Sequence, residues 1–332
     1  MYERKVQKTG GSTYFVTLPK EWATGIGVSQ GSVVKLMPNS SGALLLVPEA
    51  LPVRNRCTIE LQDWAFERLQ REIISRYIAG FDTILIQGKR IRPEQRRSVR
   101  AIAQGLVGLE IFEETQGTVA LHALVNVRDV PVDKTLGRVV DITRAMLADA
   151  VVAFCQHDEE LARDVMERDS DIDRLVLLVA RQFSLLLRDL MLEEDFGLSR
   201  VQFLHYHEVA AQVERVADHA VKISKATLAI DTAVVRPAAE EIAARSEDST
   251  LIFERAVQSF IDRDAELANE VLEERERSEE LFSVTRKTAS EKHPEAASSI
   301  SIVLDSLLRI REYGFNIAEN ALDAPAASRP TE

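Results

Sequence analysis

Two related stretches of sequence decide the fold of this 332-residue chain. Residues 150–167 read AVVAFCQHDEELARDVME, and residues 256–273 read AVQSFIDRDAELANEVLE, at an offset of 106. Each stretch carries apolar residues at three- and four-residue spacing on both sides of a polar turn, which predicts two amphipathic helices. The same pair of helices therefore occurs twice, and a repeat of this kind indicates that one structural unit has been duplicated.

The repeat extends to a third helix. Residues 215–223 (RVADHAVKI) align with residues 309–317 (RIREYGFNI), now at an offset of 94, so the two halves differ in the length between helices. Nearly all of the sequence from about residue 135 to residue 323 has helical periodicity. Because three helices are needed to close a core, we expect two three-helix bundles that meet near Pro237.

The helical segment resembles the PhoU family of phosphate-uptake regulators. The resemblance rests on residues 169–175 (DSDIDRL) and 214–223 (ERVADHAVKI). It implies two all-α repeats, at residues 135–235 and 236–325, in a protein that regulates phosphate uptake. It also implies a metal site and a protein partner, such as the ATPase subunit of a phosphate transporter or a sensor protein.

A different pattern occupies residues 1–50. Short apolar runs alternate with turn residues such as Gly10, Gly11, Pro19 and Pro38, which predicts a small β unit. So short a unit with so few apolar positions can hardly bury a core alone, and dimerisation is the usual remedy.

This unit resembles the SpoVT/AbrB family of swapped-hairpin DNA-binding domains. The resemblance covers roughly residues 3–48 and rests mainly on residues 5–8 (KVQK), 17–21 (TLPKE) and 27–36 (GVSQGSVVKL). It implies a homodimer that contacts duplex DNA through basic side chains, which we assign to Arg4, Lys5, Lys8 and Lys20. Alternatively, the unit serves only to dimerise the chain or to contact a protein.

Residues 51–134 mix helical and strand periods and predict a small α+β linker domain. The expected elements are a helix at 63–79, a strand at 83–87, a helix at 93–106, and strands at 109–113 and 118–127. Six cations lie between Lys89 and Arg100, against the single carboxylate of Glu94. They could follow phosphates, contact the acidic helices of the same chain, or be solvated. With its flanking segments, this domain makes the fold class α+β multidomain.

The net charge of −12 is unevenly distributed. Residues 1–50 and 51–135 each carry +2, whereas residues 136–332 carry −16. The acidic part repels nucleic acid and suits cations or a basic partner, so any contact with DNA must come from the first 135 residues. No apolar run is long enough to cross a bilayer, and no signal peptide or cysteine pair is present, so we expect a cytoplasmic protein without membrane insertion.

Two pairs of carboxylates carry the available chemistry. Glu214 and Asp218 are four residues apart, as are Asp169 and Asp173, so each pair lies on one face of its helix and can converge on a cation. The spacing leaves open a solvated face or a salt bridge, for example from Glu214 to Arg215 or Arg181.

The PhoU resemblance implies that such carboxylates bind metal clusters, typically of iron or zinc. In the second repeat Leu308 and Glu312 occupy the equivalent positions, so we expect a degenerate site there, with Glu312 and Glu319 at best forming a weak one. Three histidines share the helix of Glu214, and imidazole suits zinc and iron. Their spacing favours packing or surface roles for all three, which are His205, His207 and His219.

The sequence contains no nucleophile elbow, phosphate-binding loop, dinucleotide fingerprint or HExxH motif, so we expect no enzymatic activity. The leading hypothesis is a regulator that binds DNA through its N-terminal unit and senses phosphate status through its helical body. The alternative is an adaptor that inhibits a phosphate transporter by protein contact and uses the N-terminal unit only to dimerise.

Overall fold

The structure is a computed structural model and describes residues 2–38, 42–48, 55–189, 192–230, 236–276, 282, 285 and 296–326. The chain divides into two compact units, Met1–Arg54 and Asn55–Glu332. Strands dominate the first unit and helices the second, which confirms the predicted α+β multidomain layout.

The N-terminal unit consists of two hairpins and a short helix. In chain order its elements are β1 (Gln7–Thr9), β2 (Thr13–Phe15), α1 (Lys20–Gly25), β3 (Val34–Pro38) and β4 (Leu44–Pro48). Both hairpins are antiparallel, and each forms its own two-stranded sheet. The first turns through Gly10 and Gly11, whose φ angles of 58° and 85° lie in the left-handed region that glycine adopts without a steric penalty.

No residue that the structure describes in this unit is buried. Val33, just before β3, and Leu36 and Leu44, within the strands, are 61%, 58% and 54% exposed, although apolar residues of this type normally cover a core. A two-stranded hairpin is marginally stable by itself. One copy of the unit therefore lacks the buried apolar surface that a stable domain needs.

The second unit begins with a four-stranded sheet and two helices. Its elements are β5 (Arg56–Glu60), α2 (Phe66–Ile78), β6 (Thr83–Gln87), α3 (Pro93–Gln104), β7 (Leu109–Glu114) and β8 (Thr118–Ala123). The strand order is β5-β6-β8-β7, with β5 parallel to β6 and the other pairs antiparallel. Both helices pack their apolar faces onto a core that includes Ile73, Ile84 and Val99.

Strand β5 is absent from the sequence prediction. Its sequence, Arg-Cys-Thr-Ile-Glu, buries only Ile59, because it lies at the edge of the sheet. A strand with one buried apolar residue has too weak a period-2 signal to be recognised.

The basic run from Lys89 to Arg100 forms ion pairs within this α+β part. Arg96 donates to Glu114 at 2.5 Å, and Arg100 contacts the same carboxylate at 3.4 Å. Arg92 pairs with Asp63 and Glu94. Of the alternatives left open by the sequence, contact with the acidic helices does not hold for these three arginines, because carboxylates of the α+β part pair with them.

A short 3₁₀ turn (Val127–Asp129) leads into the helical body. Its helices are α4 (Val132–Gln156), α5 (Glu159–Arg188), α6 (Leu192–Phe196), α7 (Arg200–Thr227), α8 (Arg236–Asp262), α9 (Ala265–Glu273) and α10 (Ala297–Ala326). Helices α4 and α5 are joined at the first predicted polar turn, and helices α8 and α9 are joined at the second. Within the described residues no helix is both long and apolar enough to cross a membrane.

The repeat extends to helix capping. The Asp158 side chain accepts a hydrogen bond from the Leu161 amide at 3.0 Å, and Asp264 accepts one from Leu267 at the same distance. Each aspartate is the N-cap of its helix, the position where a short polar side chain satisfies a free amide. The two turns therefore use the same chemistry 106 residues apart.

One apolar core runs through both repeats. Phe154 of α4, Phe203 of α7, Phe253 of α8 and Phe315 of α10 are all fully buried in it. Helix α7 packs against both α5 and α10, so it joins the two halves. The boundaries predicted near residues 134 and 235 fall inside the unit Asn55–Glu332 and stay predictions.

Helix α5 also connects the body to the α+β part. The buried Arg181 donates to the carbonyl oxygens of Tyr77 at 2.6 Å and Phe81 at 3.0 Å. Gln182 donates to the carbonyls of Val127 and Val130 at 3.0 and 2.7 Å. Side chains of α5 thus supply donors to backbone carbonyls at the end of α2 and around the 3₁₀ turn.

Candidate functional site

The four carboxylates predicted to bind metal come together between α5 and α7. Asp169 and Asp173 lie on α5, Glu214 and Asp218 lie on α7, and the two helices pack side by side. The charges of Asp169 and Asp173 raise the pKa of Glu214, and the charge of Asp218 raises the pKa of both α5 aspartates. The sequence predicts two separate pairs, and the fold unites them into one cluster, which we call the acidic cluster.

Glu214 is the most strongly perturbed member of the acidic cluster. Partial burial, followed by the charges of Asp173, Asp218 and Asp169, raises its pKa to about 7. The charge of Arg215 lowers the pKa of Glu214 but does not offset these increases. A carboxyl group in this environment binds protons, or another cation, near neutral pH.

The same causes act on α5. Partial burial of the carboxyl group, then Asp169 and Asp218, raises the pKa of Asp173 to about 6. The pKa of Asp169 is also raised, mainly by burial and then by Asp218, although Lys225 lowers it. The cluster therefore stores mutual repulsion that a bound cation would relieve.

The alternative of a salt bridge from Glu214 to Arg181 is wrong. Arg181 is buried against Tyr77 and lies 3.6 Å from Asp82, on the side of α5 that meets the α+β part. The guanidinium of Arg215 lies 3.5 Å from the Gln212 side-chain oxygen and 5.8 Å from the ring centre of Tyr313. Arg181 has no part in the acidic cluster because α5 turns it away.

The histidines occupy packing positions. His205 forms a 3.0 Å hydrogen bond between its Nδ1 and Asn320, and His207 stacks on Phe183 with ring centres 5.1 Å apart. His219 is buried beside Tyr313, and burial together with Lys222 and Arg309 lowers its pKa to about 4. His205 and His219 thus contact residues of α10, and His207 contacts α5 at Phe183.

In the second repeat the equivalent positions carry different chemistry. Leu308 replaces Glu214, and Glu312, in place of Asp218, pairs with Arg309 at 2.5 Å. Glu319 pairs with Arg275 at 2.9 Å. The two carboxylates that the sequence left as a weak site are thus each held by an arginine.

The side chains of the acidic cluster do not converge on a single point. Among the residues that the structure describes, no three His, Cys, Asp or Glu side chains are close enough together to hold one metal ion as they stand. The donor set consists of carboxylate oxygens alone, which suits oxygen-preferring cations. Binding would require side-chain rotation toward a common point.

The four cations assigned to DNA are all exposed. Lys8 is paired with Tyr14 across the β1–β2 hairpin, and its ammonium lies 5.6 Å from the centre of that ring. Tyr14 is 68% exposed and was missed by the sequence analysis, since an aromatic in a short strand is read as core. Arg4 and Lys5 precede β1, and Lys20 begins α1.

Comparison with known families assigns the helical body. Residues 136–227 and 245–321, together more than half of the chain, match the family model described as PhoU domain. The chain belongs to the PhoU family. The matched segments span the helices that carry the acidic cluster and also the second repeat, which confirms the resemblance drawn from the sequence.

The N-terminal unit matches a second model. Residues 7–52 match the model described as "Antidote-toxin recognition MazE, bacterial antitoxin". The PhoU body is therefore preceded by a domain of the MazE/AbrB type. No curated protein matches the chain.

Two solved PhoU structures are similar to the body of this chain. The crystal structure of PhoU from Pseudomonas aeruginosa is 21% identical, covers 59% of this chain and 96% of its own, and has a TM-score of 0.52. The phosphate transport system regulatory protein PhoU from Streptococcus pneumoniae is 17% identical over 60% of this chain and 96% of its own, with a TM-score of 0.49. The first likeness shows that the PhoU bundle fold is present here.

Proposed function

We propose that this PhoU-family regulator of phosphate transport binds duplex DNA as a homodimer through its MazE/AbrB-type unit. The observation that carries the proposal is that the unit exposes large apolar side chains as well as the four assigned cations. Val33, Leu36 and Leu44 need a covering surface, and a second copy of the unit supplies a matching one. Two-fold symmetry then doubles the number of basic side chains on the dimer.

Arg4, Lys5, Lys8 and Lys20 are the proposed DNA contacts. Their charges would displace counterions from the phosphate backbone, so affinity should fall steeply with salt. The −16 charge of residues 136–332 repels DNA, which keeps the duplex at the N-terminal units.

The test is fluorescence anisotropy of the full-length protein on a labelled duplex from upstream of neighbouring phosphate-transport genes, against a scrambled duplex, at several salt concentrations. We expect preferential binding to the first duplex. Replacing Lys8 or Lys5 with alanine should flatten the slope of log affinity against log salt by about one unit per copy. Lys35→Ala, which removes a strand cation outside the assigned set, is the matched control.

Equal and weak binding to both duplexes would contradict the DNA proposal. The N-terminal unit would then act as a dimerisation module of an adaptor that contacts a phosphate-transport protein, such as its ATPase subunit. The adaptor is favoured by the same exposed apolar residues, because dimerisation requires them whether or not DNA binds.

We also propose that the acidic cluster binds a metal cation. Three of the carboxyl groups have a raised pKa, and the charge of the fourth, Asp218, contributes to each of these shifts. A bound divalent cation or iron would relieve this repulsion. Zinc fits less well, since the four proposed ligands are all carboxylates, whereas zinc usually takes nitrogen and sulfur ligands. Asp169, Asp173, Glu214 and Asp218 are the proposed ligands.

Calorimetric titration with Mn²⁺ tests this part. Glu214→Gln and Asp218→Asn should each weaken binding severalfold, whereas Asp171→Asn, an exposed α5 residue outside the cluster, should not. Unchanged affinity in the first two variants would remove the acidic cluster from consideration. In the mechanism we propose, occupancy of the cluster shifts the population of body conformations and thereby the DNA affinity of the two N-terminal units.

A further inference from the structure

Helix α7 has two faces of opposite charge. Glu214 and Asp218 face the carboxylates of α5, whereas Arg215 and His219, each one residue further along, face α10. The guanidinium of Arg215 lies 5.8 Å from the centre of the Tyr313 ring, and the His219 ring lies 5.6 Å from it. We call this contact between α7 and α10 the basic seam.

His219 is only 6% exposed, and its Nδ1 is buried without a hydrogen-bond partner among the described residues. Buried side-chain nitrogen atoms are nearly always hydrogen-bonded. An acceptor oxygen that enters the seam can therefore gain a hydrogen bond without displacing a partner inside the protein.

Two further cations surround this histidine. Lys222 lies one turn beyond it on α7, Arg309 lies on α10, and both act on the charge of the imidazole. Arg215 and Arg309 occupy equivalent positions of the two repeats, 94 residues apart, so the approximate symmetry of the body brings one guanidinium from each repeat to the seam. A pair of guanidinium groups is the arrangement best suited to a tetrahedral oxyanion.

Among the residues that the structure describes, one carboxylate pairs directly with these cations. Glu312 pairs with Arg309 at 2.5 Å, and both side chains are exposed, at 45% and 60%. An ion pair in that environment contributes little stability and is readily exchanged for another anion. Glu214 acts on Arg215 from the adjacent face of α7 without a direct contact.

We propose that the basic seam binds inorganic phosphate, held by Arg215, Lys222 and Arg309, with a hydrogen bond from the His219 imidazole. The site rests on the proposed regulatory function for its biological meaning, since it would make the body a direct phosphate sensor. Its chemistry is independent of DNA binding. Phosphate here replaces Glu312 as the partner of Arg309.

Isothermal titration of the full-length protein with inorganic phosphate, against chloride at matched ionic strength, tests the proposal. We expect saturable binding of one phosphate per chain. Arg215→Gln and Arg309→Gln should each weaken it by about tenfold or more, the effect of losing a charged hydrogen bond. Arg163→Gln is the matched control, because Arg163 is an exposed arginine with a similar pair to Glu159 on its own helix.

Glu312→Gln is the complementary variant. It removes the competing carboxylate and should tighten phosphate binding, a gain that misfolding cannot produce. Titration with adenosine monophosphate in parallel distinguishes a free ion from a phosphate ester at the same arginines. Tighter binding of the ester that is lost in Arg309→Gln would identify a nucleotide as the ligand of the seam.

Absence of saturable binding would overturn the proposal, and so would equal phosphate affinity in the wild type, Arg215→Gln and Arg309→Gln. Duplex anisotropy on the same samples separates the two proposals. Loss of phosphate binding with intact salt-dependent DNA binding would remove the basic seam and leave the DNA regulator. Phosphate binding without DNA affinity would retain the seam in a protein that works through another partner.

Discussion

His157 and Arg263 adopt the same left-handed backbone conformation, with φ of 56° in both residues, at equivalent positions of the two repeats. Each ends one helix immediately before the aspartate that caps the next. Left-handed conformation costs a non-glycine residue free energy, so its presence at both turns shows that the helix-to-helix geometry overrides local preference.

Arg263→Gly should therefore raise the free energy of unfolding by about 1 kcal/mol, because glycine adopts this conformation without a steric penalty. His157→Gly should gain less, since the His157 ring is hydrogen-bonded to the Ile230 carbonyl at 2.8 Å. Chemical denaturation of the full-length protein measures both. Arg163→Gly, in the interior of α5, should lower stability by about the same amount and serves as the contrast. A loss of stability in Arg263→Gly would contradict the backbone argument.

Glu214→Gln should stabilise the protein at pH 8 in metal-free buffer. The pKa of Glu214 is about 7 in the folded state and near 4.5 in the unfolded state, so between these values only the folded state keeps the proton. Stability from this group is therefore greatest at low pH and is lost as the pH rises through about 7. Removing the charge should recover about 1 kcal/mol at pH 8, after allowance for solvent screening at a half-buried site.

The corresponding rise in melting temperature is a few degrees, and it should fall to about half near pH 5.5, where Glu214 is protonated in the folded protein and only ionisation of the unfolded state still lowers stability. Differential scanning calorimetry at both pH values provides the measurement. Glu167→Gln, an exposed glutamate on α5, is the control with the same substitution. If Glu214→Gln melts below the wild type at pH 8, the repulsion inferred for the acidic cluster is absent.

Arg181→Met should destabilise the protein by about 3 kcal/mol, since it removes the buried guanidinium that donates to the carbonyls of Tyr77 and Phe81 and pairs with Asp82. Protection from hydrogen exchange should fall more in the α+β part than in α8 or α10, because Arg181 connects α5 to the sheet domain. Arg188→Met, at an exposed position near the end of the same helix, should have little effect. Uniform exchange throughout the chain in Arg181→Met would show that the connection is not local.

Leu36→Ser and Leu44→Ser should weaken self-association. Both side chains are more than half exposed in one copy of the N-terminal unit, and the proposed dimer would cover them. Light scattering after size exclusion should show a shift from dimer to monomer at low concentration. Ile302→Ser, an exposed apolar residue of α10, is the control. A monomeric wild type would contradict the dimer directly.

Sequence patterns predicted most of the helical body because its signals are local. Helical periodicity, the aspartate caps at Asp158 and Asp264, and the repeat offset all follow from neighbours a few residues apart. The edge strand Arg56–Glu60 was missed for the converse reason, since its pairing with Thr83–Gln87 comes from residues far along the chain.

The candidate sites divide in the same way. Spacing along one helix was enough to single out Glu214 with Asp218 and Asp169 with Asp173, but no sequence separation shows that the two pairs meet. That convergence depends on the packing of α5 against α7. The fold also directs Arg181 toward Tyr77, so the alternative of a salt bridge between Arg181 and Glu214 does not hold.

The sequence by itself determined the duplicated three-helix unit, the β unit with too few apolar residues for its own core, and the concentration of negative charge after residue 135. These properties are local or additive, so they can be read from residue order alone. Only the tertiary structure decided which faces of α7 meet α5 and α10, and hence that carboxylates gather on one side and arginines on the other. A helix contacts its neighbours through faces that depend on the rotation and register of packing, and these are settled by burial of the shared core.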